Sequence, residues 1–171
     1  MIKKAATALA LLAMAQTPAA MAQECITEQE FSSIVIYAVP LAVDGMKQKC
    51  SASLSKEGFL ATGGDAFRER YAALSDEMWP TAKSTIVKMG GEKAKDGLAE
   101  LNSLPDEIVR PLLDAVFATK IGEEIKPQNC AKVERGLEVL APINPRDAGA
   151  LVAFVAAVAN VKSAAICKLE V

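Results

Sequence analysis

The chain of 171 residues contains no histidine. That absence removes Ser-His-Asp and Cys-His nucleophilic machinery, imidazole metal sites, histidine haem ligation and histidine acid–base catalysis. No two cysteines form a CxxC pair, and the closest two stand 25 positions apart. This spacing excludes a thioredoxin-like redox motif and a c-type haem attachment, and it disfavours a zinc site with four cysteine ligands. No apolar run reaches the roughly 20 residues needed to cross a bilayer. No stretch alternates apolar and polar at period two for long enough to argue a strand. Nothing resembles an EF-hand loop or a Walker motif, and Gly63-Gly64 is an isolated pair that reads as a turn.

Chemistry-bearing patterns are correspondingly few. Ser53-Leu54-Ser55-Lys56 satisfies S-x-x-K, the spacing that sets a serine beside its lysine on one helix face. The supporting S-D-N and K-T-G elements are missing, so a solvated loop is the better account. Acidic neighbours occur at Asp76-Glu77, Asp106-Glu107 and Glu123-Glu124. Sequence neighbours diverge by about 100° on a helix, so none is a preset acid–base pair. Asp106-Glu107 suits a helix N-terminus. Met46, Met78 and Met89 could be grouped as thioether ligands for Cu(I), but all three fall on core-like stripes and read as packing. Lys83, Lys88, Lys93 and Lys95, diluted by Glu92 and Asp96, read as a solvated face. No catalytic, metal or cofactor-binding residue is assigned, and the expectation is a non-enzyme. Among the scarce aromatics, Trp79 and Tyr71 are the side chains that could line a groove or touch a partner; core packing is the competing role.

What is present begins with a leader. Lys3 and Lys4 precede the apolar run from Ala5 to Ala15, Pro18 interrupts it, and Ala20-Met21-Ala22 fits a small-x-small cleavage site. Residues 1–22 read as a cleaved signal peptide and 23–171 as a single exported, soluble domain, periplasmic or secreted. Glu24 beside Cys25 argues against lipidation. Losing Lys3 and Lys4 takes the formal charge from −2 to −4. A mildly acidic, interspersed surface does not indicate nucleic-acid binding, and no stable membrane insertion is expected after cleavage.

Four cysteines in an oxidising compartment, Cys25, Cys50, Cys130 and Cys167, predict two disulfides. The segment between the first two is helical in pattern. Thr27 and Glu30 make a capping box, and apolar or small residues follow at Phe31, Ile34, Val35, Ala38, Leu41, Ala42, Gly45 and Met46. The phase runs through Pro40, so a kinked helix is expected in place of a hairpin. Such a helix holds Cys25 and Cys50 about 35 Å apart, far beyond the roughly 7 Å a disulfide spans. Each must reach the last third of the chain. Cys25 with Cys167 and Cys50 with Cys130 is the preferred pairing because chain termini tend to meet; the crossed pairing is the alternative, and Cys25 with Cys50 and Cys130 with Cys167 returns if Pro40 turns the chain right around.

The remainder also reads as helix. Ser51 to Gly64 is an irregular connection. Asp65 caps a helix carrying Phe67, Tyr71, Leu74 and Met78, whose phase continues past a kink or break at Pro80 to Met89 and stops at Gly90-Gly91. Glu92 to Leu101 is weakly amphipathic. Ser103 and Asp106 cap the next helix, whose Ile108, Val109, Leu112, Leu113, Val116 and Phe117 form the clearest apolar stripe. Lys126 to Asn129 is a connection, Cys130 to Leu140 a helix, and Asn144 with Pro145 starts the last one. The charge-free segment from Ala148 to Val161 predicts the central buried helix. The fold expected is all-α: a single compact bundle of five to seven helices, several bent at prolines, tied by two disulfides. The function expected is that of a non-enzymatic interaction protein (inhibitor, immunity factor, adaptor or chaperone), whose partner would be another exported protein. The alternative is a carrier of a small apolar ligand between helices, and an enzyme using carboxylates or lysine ranks last.

Overall fold

The computed structural model describes residues 25–90, 100, 103–159 and 166–167. The expected leader, Lys93 and Lys95, the segment from Glu92 to Leu101 apart from Glu100, and the end of the last apolar segment lie outside the described residues. Among the described residues the protein is all-α. Its helices are α1 (Glu28–Cys50), α2 (Phe59–Thr62), α3 (Gly64–Ala72), α4 (Ser75–Met89), α5 (Asp106–Glu124), α6 (Cys130–Leu140) and α7 (Pro145–Val158). A 3₁₀ turn (Pro127–Asn129) precedes α6, and an isolated parallel bridge joins Ile26 to Ile166.

α1 is the axis of the bundle and packs against α3, α4, α5 and α7. Its capping box is reciprocal: the Glu30 amide donates to Thr27 Oγ1 at 3.1 Å and the Thr27 amide to Glu30 Oε2 at 2.9 Å. The helix runs unbroken through Pro40, which is buried, because packing on several sides holds the turn that a proline leaves one bond short. Cys25 therefore bonds Cys167 and Cys50 bonds Cys130, the preferred pairing. The Cys167 amide adds a hydrogen bond to the Ile26 carbonyl at 2.9 Å, closing the two ends of the described chain on each other.

Several local expectations are corrected. The stretch from Ser51 to Gly64 is not wholly irregular: α2 forms because Leu60 is buried and Phe59 meets Phe67 edge-on, ring centroids 5.8 Å apart. The N-cap of α3 is Gly63, and Asp65 sits in the first turn, paired with Lys47 of α1. The break before α4 falls at Ala73-Leu74, not at Pro80. Starting afresh at Ser75 puts Pro80 at the sixth helical residue, where its clash and missing donor affect only the opening turns. Pro111 occupies the same sixth position in α5. The N-cap of α5 is Pro105; the Ser103 hydroxyl donates instead to the Glu100 carbonyl, and Asp106 pairs with Lys83 at 2.7 Å.

The largest correction concerns α7. It is not the central helix. It lies against α1 through Gly149, Ala153 and Ala156, and a Cβ at Gly149 would stand 2.7 Å from both Ser32 Oγ and Ile36 Cγ1. Small residues let two backbones approach closely, so along the charge-free stretch from Ala148 the small face of the helix turns inward and its large side chains turn out.

The same principle sets the crossing of α1 with α5. A Cβ on Gly45 would stand 2.5 Å from the Ala118 carbonyl oxygen, and one on Gly122 3.3 Å from the Gly45 oxygen. Gly45→Ala gains about 1 kcal/mol of helix propensity but forces a backbone apart, at about 1–3 kcal/mol. We expect a lowered thermal midpoint. Gly136, in α6, has open space around its Cβ position, so Gly136→Ala should raise the midpoint through propensity alone, by about 0.5–1 kcal/mol. Thermal melts of the two variants that moved in the same direction would contradict the tight crossing.

Ion pairs connect neighbouring helices. Arg68 holds Asp44 bidentately at 2.7 and 2.8 Å, Lys88 reaches Glu30 at 2.6 Å, and Arg146 reaches Glu77 at 2.5 Å. Exposed pairs of this kind contribute at most about 1 kcal/mol each and serve more to set register.

Candidate functional site

The residues singled out in the sequence scatter. Ser53 to Lys56 lies in turns between α1 and α2, with both serines and Lys56 exposed, and Ser55 Oγ accepts from the Glu57 amide. Four of the six acidic neighbours go to structural pairs: Asp76 to Arg110 at 2.5 Å, Glu77 to Arg146, Asp106 to Lys83 and Glu123 to Lys120 at 2.8 Å. Met46 and Met78 are core residues, but Met89 is exposed, so the three methionines do not converge. Among the described residues no three Cys, Asp or Glu side chains form a metal-binding group.

Trp79 and Tyr71 are only 4 % and 1 % exposed. In this conformation both are core side chains, closed to a partner. Tyr71 stacks on Phe67 at 4.9 Å, and Trp79 on Tyr37 at 5.3 Å. The Arg110 guanidinium lies over both rings of the second pair, 5.6 Å from Tyr37 and 5.7 Å from Trp79. The Tyr37 hydroxyl donates to Asp114. Trp79 Nε1 has no hydrogen-bond acceptor. Asp106 lies close enough to feel the indole N–H electrostatically without reaching bonding geometry; its carboxyl is held below the usual range by Lys83 first and the indole second. The cluster locks α1, α4 and α5 together.

Burial pushes the Tyr37 phenol far above its ordinary 10.0, and the bond to Asp114 adds to the shift. Burial raises the Tyr71 phenol as well. These are the two tyrosines of the chain. Both stay neutral in the fold at a pH where the unfolded chain would ionise them, so the fold loses stability as pH climbs above about 10. Phenolate absorbance should stay low past pH 10 and then rise together with unfolding. A half-point near 10 with intact helical ellipticity would contradict it.

A groove of about 250 Å³ opens between α1, α4 and α7. Its walls are polar: Gln29, Ser32, Ser33 and Thr81, with the Arg146–Glu77 pair at the edge and Ile36 and Met78 beneath. Its main charges already satisfy each other, and Ser33 Oγ donates to the Gln29 carbonyl at 3.0 Å.

The feature that sequence reasoning missed is on α5. Its stripe is two ladders, not one. Val109, Leu113 and Phe117 turn inward, with Val109 fully buried. Ile108, Leu112 and Val116 turn outward, preceded by Leu104 at the same spacing of four, and these four are between 41 % and 58 % exposed. The signal was there: on a helix the six positions span about 180°, wider than the roughly 100° a surface helix buries. Glu107 and the Lys120–Glu123 pair lie along its border. The chain matches no protein-family model, no curated protein and no solved structure.

Proposed function

We propose that this is an exported, non-enzymatic interaction protein of an oxidising compartment, the periplasm in a bacterial host, acting as an inhibitor, immunity factor, adaptor or chaperone. The observation that carries the reading is the outward ladder Ile108, Leu112 and Val116 on α5, with exposed Leu104 just ahead of its N-terminus. A row of large aliphatic side chains, bordered by charge and backed by a disulfide-tied bundle, suits an amphipathic partner helix laid along it. The disulfides fit an oxidising compartment, and among the described residues no helix is long and apolar enough to cross a membrane. The groove is polar and open, which lends nothing to carriage of an apolar ligand.

The test uses Ile108→Glu/Leu112→Glu. Both positions are exposed, so the thermal midpoint should hold within a few degrees. Cross-linking in extract of the exported compartment should recover a partner with the natural protein and at least about tenfold less with the variant, each charge burying at about 1–3 kcal/mol of lost affinity. Equal recovery by both proteins, or by neither, would overturn the reading.

A further inference from the structure

The two disulfides differ in what surrounds them. Cys50 and Cys130 are 0 % and 1 % exposed and belong to the main apolar core. Cys25, ahead of α1, is exposed, and Cys167, beyond α7, is half-buried. Thiol–disulfide exchange needs a thiolate to reach a sulfur, so access governs its rate. The outer bond offers that access in the folded protein. The inner bond offers it only when the core between α1 and α6 opens.

The two bonds are also kept apart. They lie at opposite ends of α1, whose 23 residues hold them about 35 Å from each other. All four cysteines of the chain are committed to these bonds. Thiols freed at Cys25 and Cys167 therefore cannot reach the inner bond while α1 is folded, and can re-form only with each other. What the outer bond secures is local. Ile166 pairs with Ile26 in a parallel bridge, the Cys167 amide donates to the Ile26 carbonyl at 2.9 Å, and Ile26 is 2 % exposed. The packing of α1 on α3, α4, α5 and α7 lies outside this junction.

We propose that Cys25–Cys167 is a redox-sensitive tie, opened by a dithiol while Cys50–Cys130 stays closed and the bundle stays folded. A thiolate of the dithiol attacks Cys25 Sγ, forms a mixed disulfide and expels the Cys167 sulfur as a thiolate. The second thiolate of the dithiol then displaces the Cys25 sulfur in the same way. The reductant loses two electrons in closing its own disulfide, and its two protons end on Cys25 and Cys167. Opening frees Ile166 and Cys167 from α1 and uncovers Ile26, an apolar side chain with an unpaired carbonyl just ahead of the helix. The tie does not rest on the partner-docking role of α5.

Timed exposure of the folded, oxidised protein to dithiothreitol, quenched with iodoacetamide and read by peptide mass, tests it. Cys25 and Cys167 should be labelled at least about tenfold faster than Cys50 and Cys130. In concentrated guanidinium chloride that order should vanish, because the fold creates it. With only the outer pair open, helical ellipticity should hold, while amide exchange at position 167, followed by NMR, should quicken at least about tenfold. The variant Cys25→Ser/Cys167→Ser should reproduce both readings without any reductant. Removing dithiothreitol in air should restore Cys25–Cys167 alone. Labelling of all four cysteines together, or of the inner pair first, overturns the proposal. So does ellipticity that falls in step with opening of the outer bond, unchanged exchange at position 167, or re-oxidation into a different pairing. None of these outcomes bears on whether α5 recruits a partner, which the extract experiment reads separately.

Discussion

Replacing Cys50 and Cys130 together by alanine should remove about 4–5 kcal/mol of stability and lower the thermal midpoint by more than about 10 °C. The bond closes a separation of 80 residues, for which the loop-closure model alone gives about 4–5 kcal/mol. Both sulfurs are also buried, so their loss leaves a void at the junction of α1 and α6. That junction is thin. α6 is otherwise held through its contacts with α2, where the Leu60 amide donates to Glu134 Oε1 at 2.9 Å, and by the half-buried Val133, Leu137 and Leu140. The Cys25–Cys167 bond makes an instructive control. It spans 142 residues, which raises the closure contribution by only about 0.5 kcal/mol, while Cys25 is exposed and leaves no void. We therefore expect Cys50→Ala/Cys130→Ala to be the more damaging pair in urea titrations, despite its shorter loop. An equal or smaller loss would mean that α6 is secured by its packing.

Trp79→Ala should cost about 3–5 kcal/mol, the range for deleting a buried aromatic ring. The ring packs against both Tyr37 and Arg110, and its loss would leave a guanidinium beside a cavity. Trp79→Phe should cost much less, about 1.5 kcal/mol or under, because the indole N–H makes no hydrogen bond that phenylalanine would forfeit. Urea titrations followed by helical ellipticity compare the two. If phenylalanine proved as damaging as alanine, the indole would have an acceptor after all, with Asp106 the nearest candidate.

These effects fall in parts of the molecule that the sequence makes legible to different degrees. The capping box of Thr27 and Glu30 and an apolar phase unbroken by Pro40 define a long first helix. That helix excludes a Cys25–Cys50 bond on distance alone, so the two ties follow from local patterns. Direction was the illegible part. The α5 ladders are both apolar, and nothing in their composition says that Val109 faces in while Ile108 faces out. Beyond its first turn α7 is apolar all round, and hydrophobicity again does not choose a side. Approach distance chooses: Gly149 and Ala153 let α7 settle on α1, as Gly45 lets α5, and the larger side chains are left outside. The break at Ala73-Leu74 was hidden for a related reason. Apolar phase persists across it, so only the placement of Pro80 relative to a helix start distinguishes one bent helix from two. The exposed apolar faces are thus the residue of a packing decision made by small side chains elsewhere.

The bond from Cys25 to Cys167 turns the backbone between them into a covalent ring, with Cys50–Cys130 as a chord across it. A protease that cuts any single peptide bond inside that ring releases no fragment. The product gains one water in mass, keeps both pieces attached, and reveals the nick only after reduction. Shedding a piece takes at least two cuts, so any one exposed turn of this molecule can be cleaved without the protein coming apart.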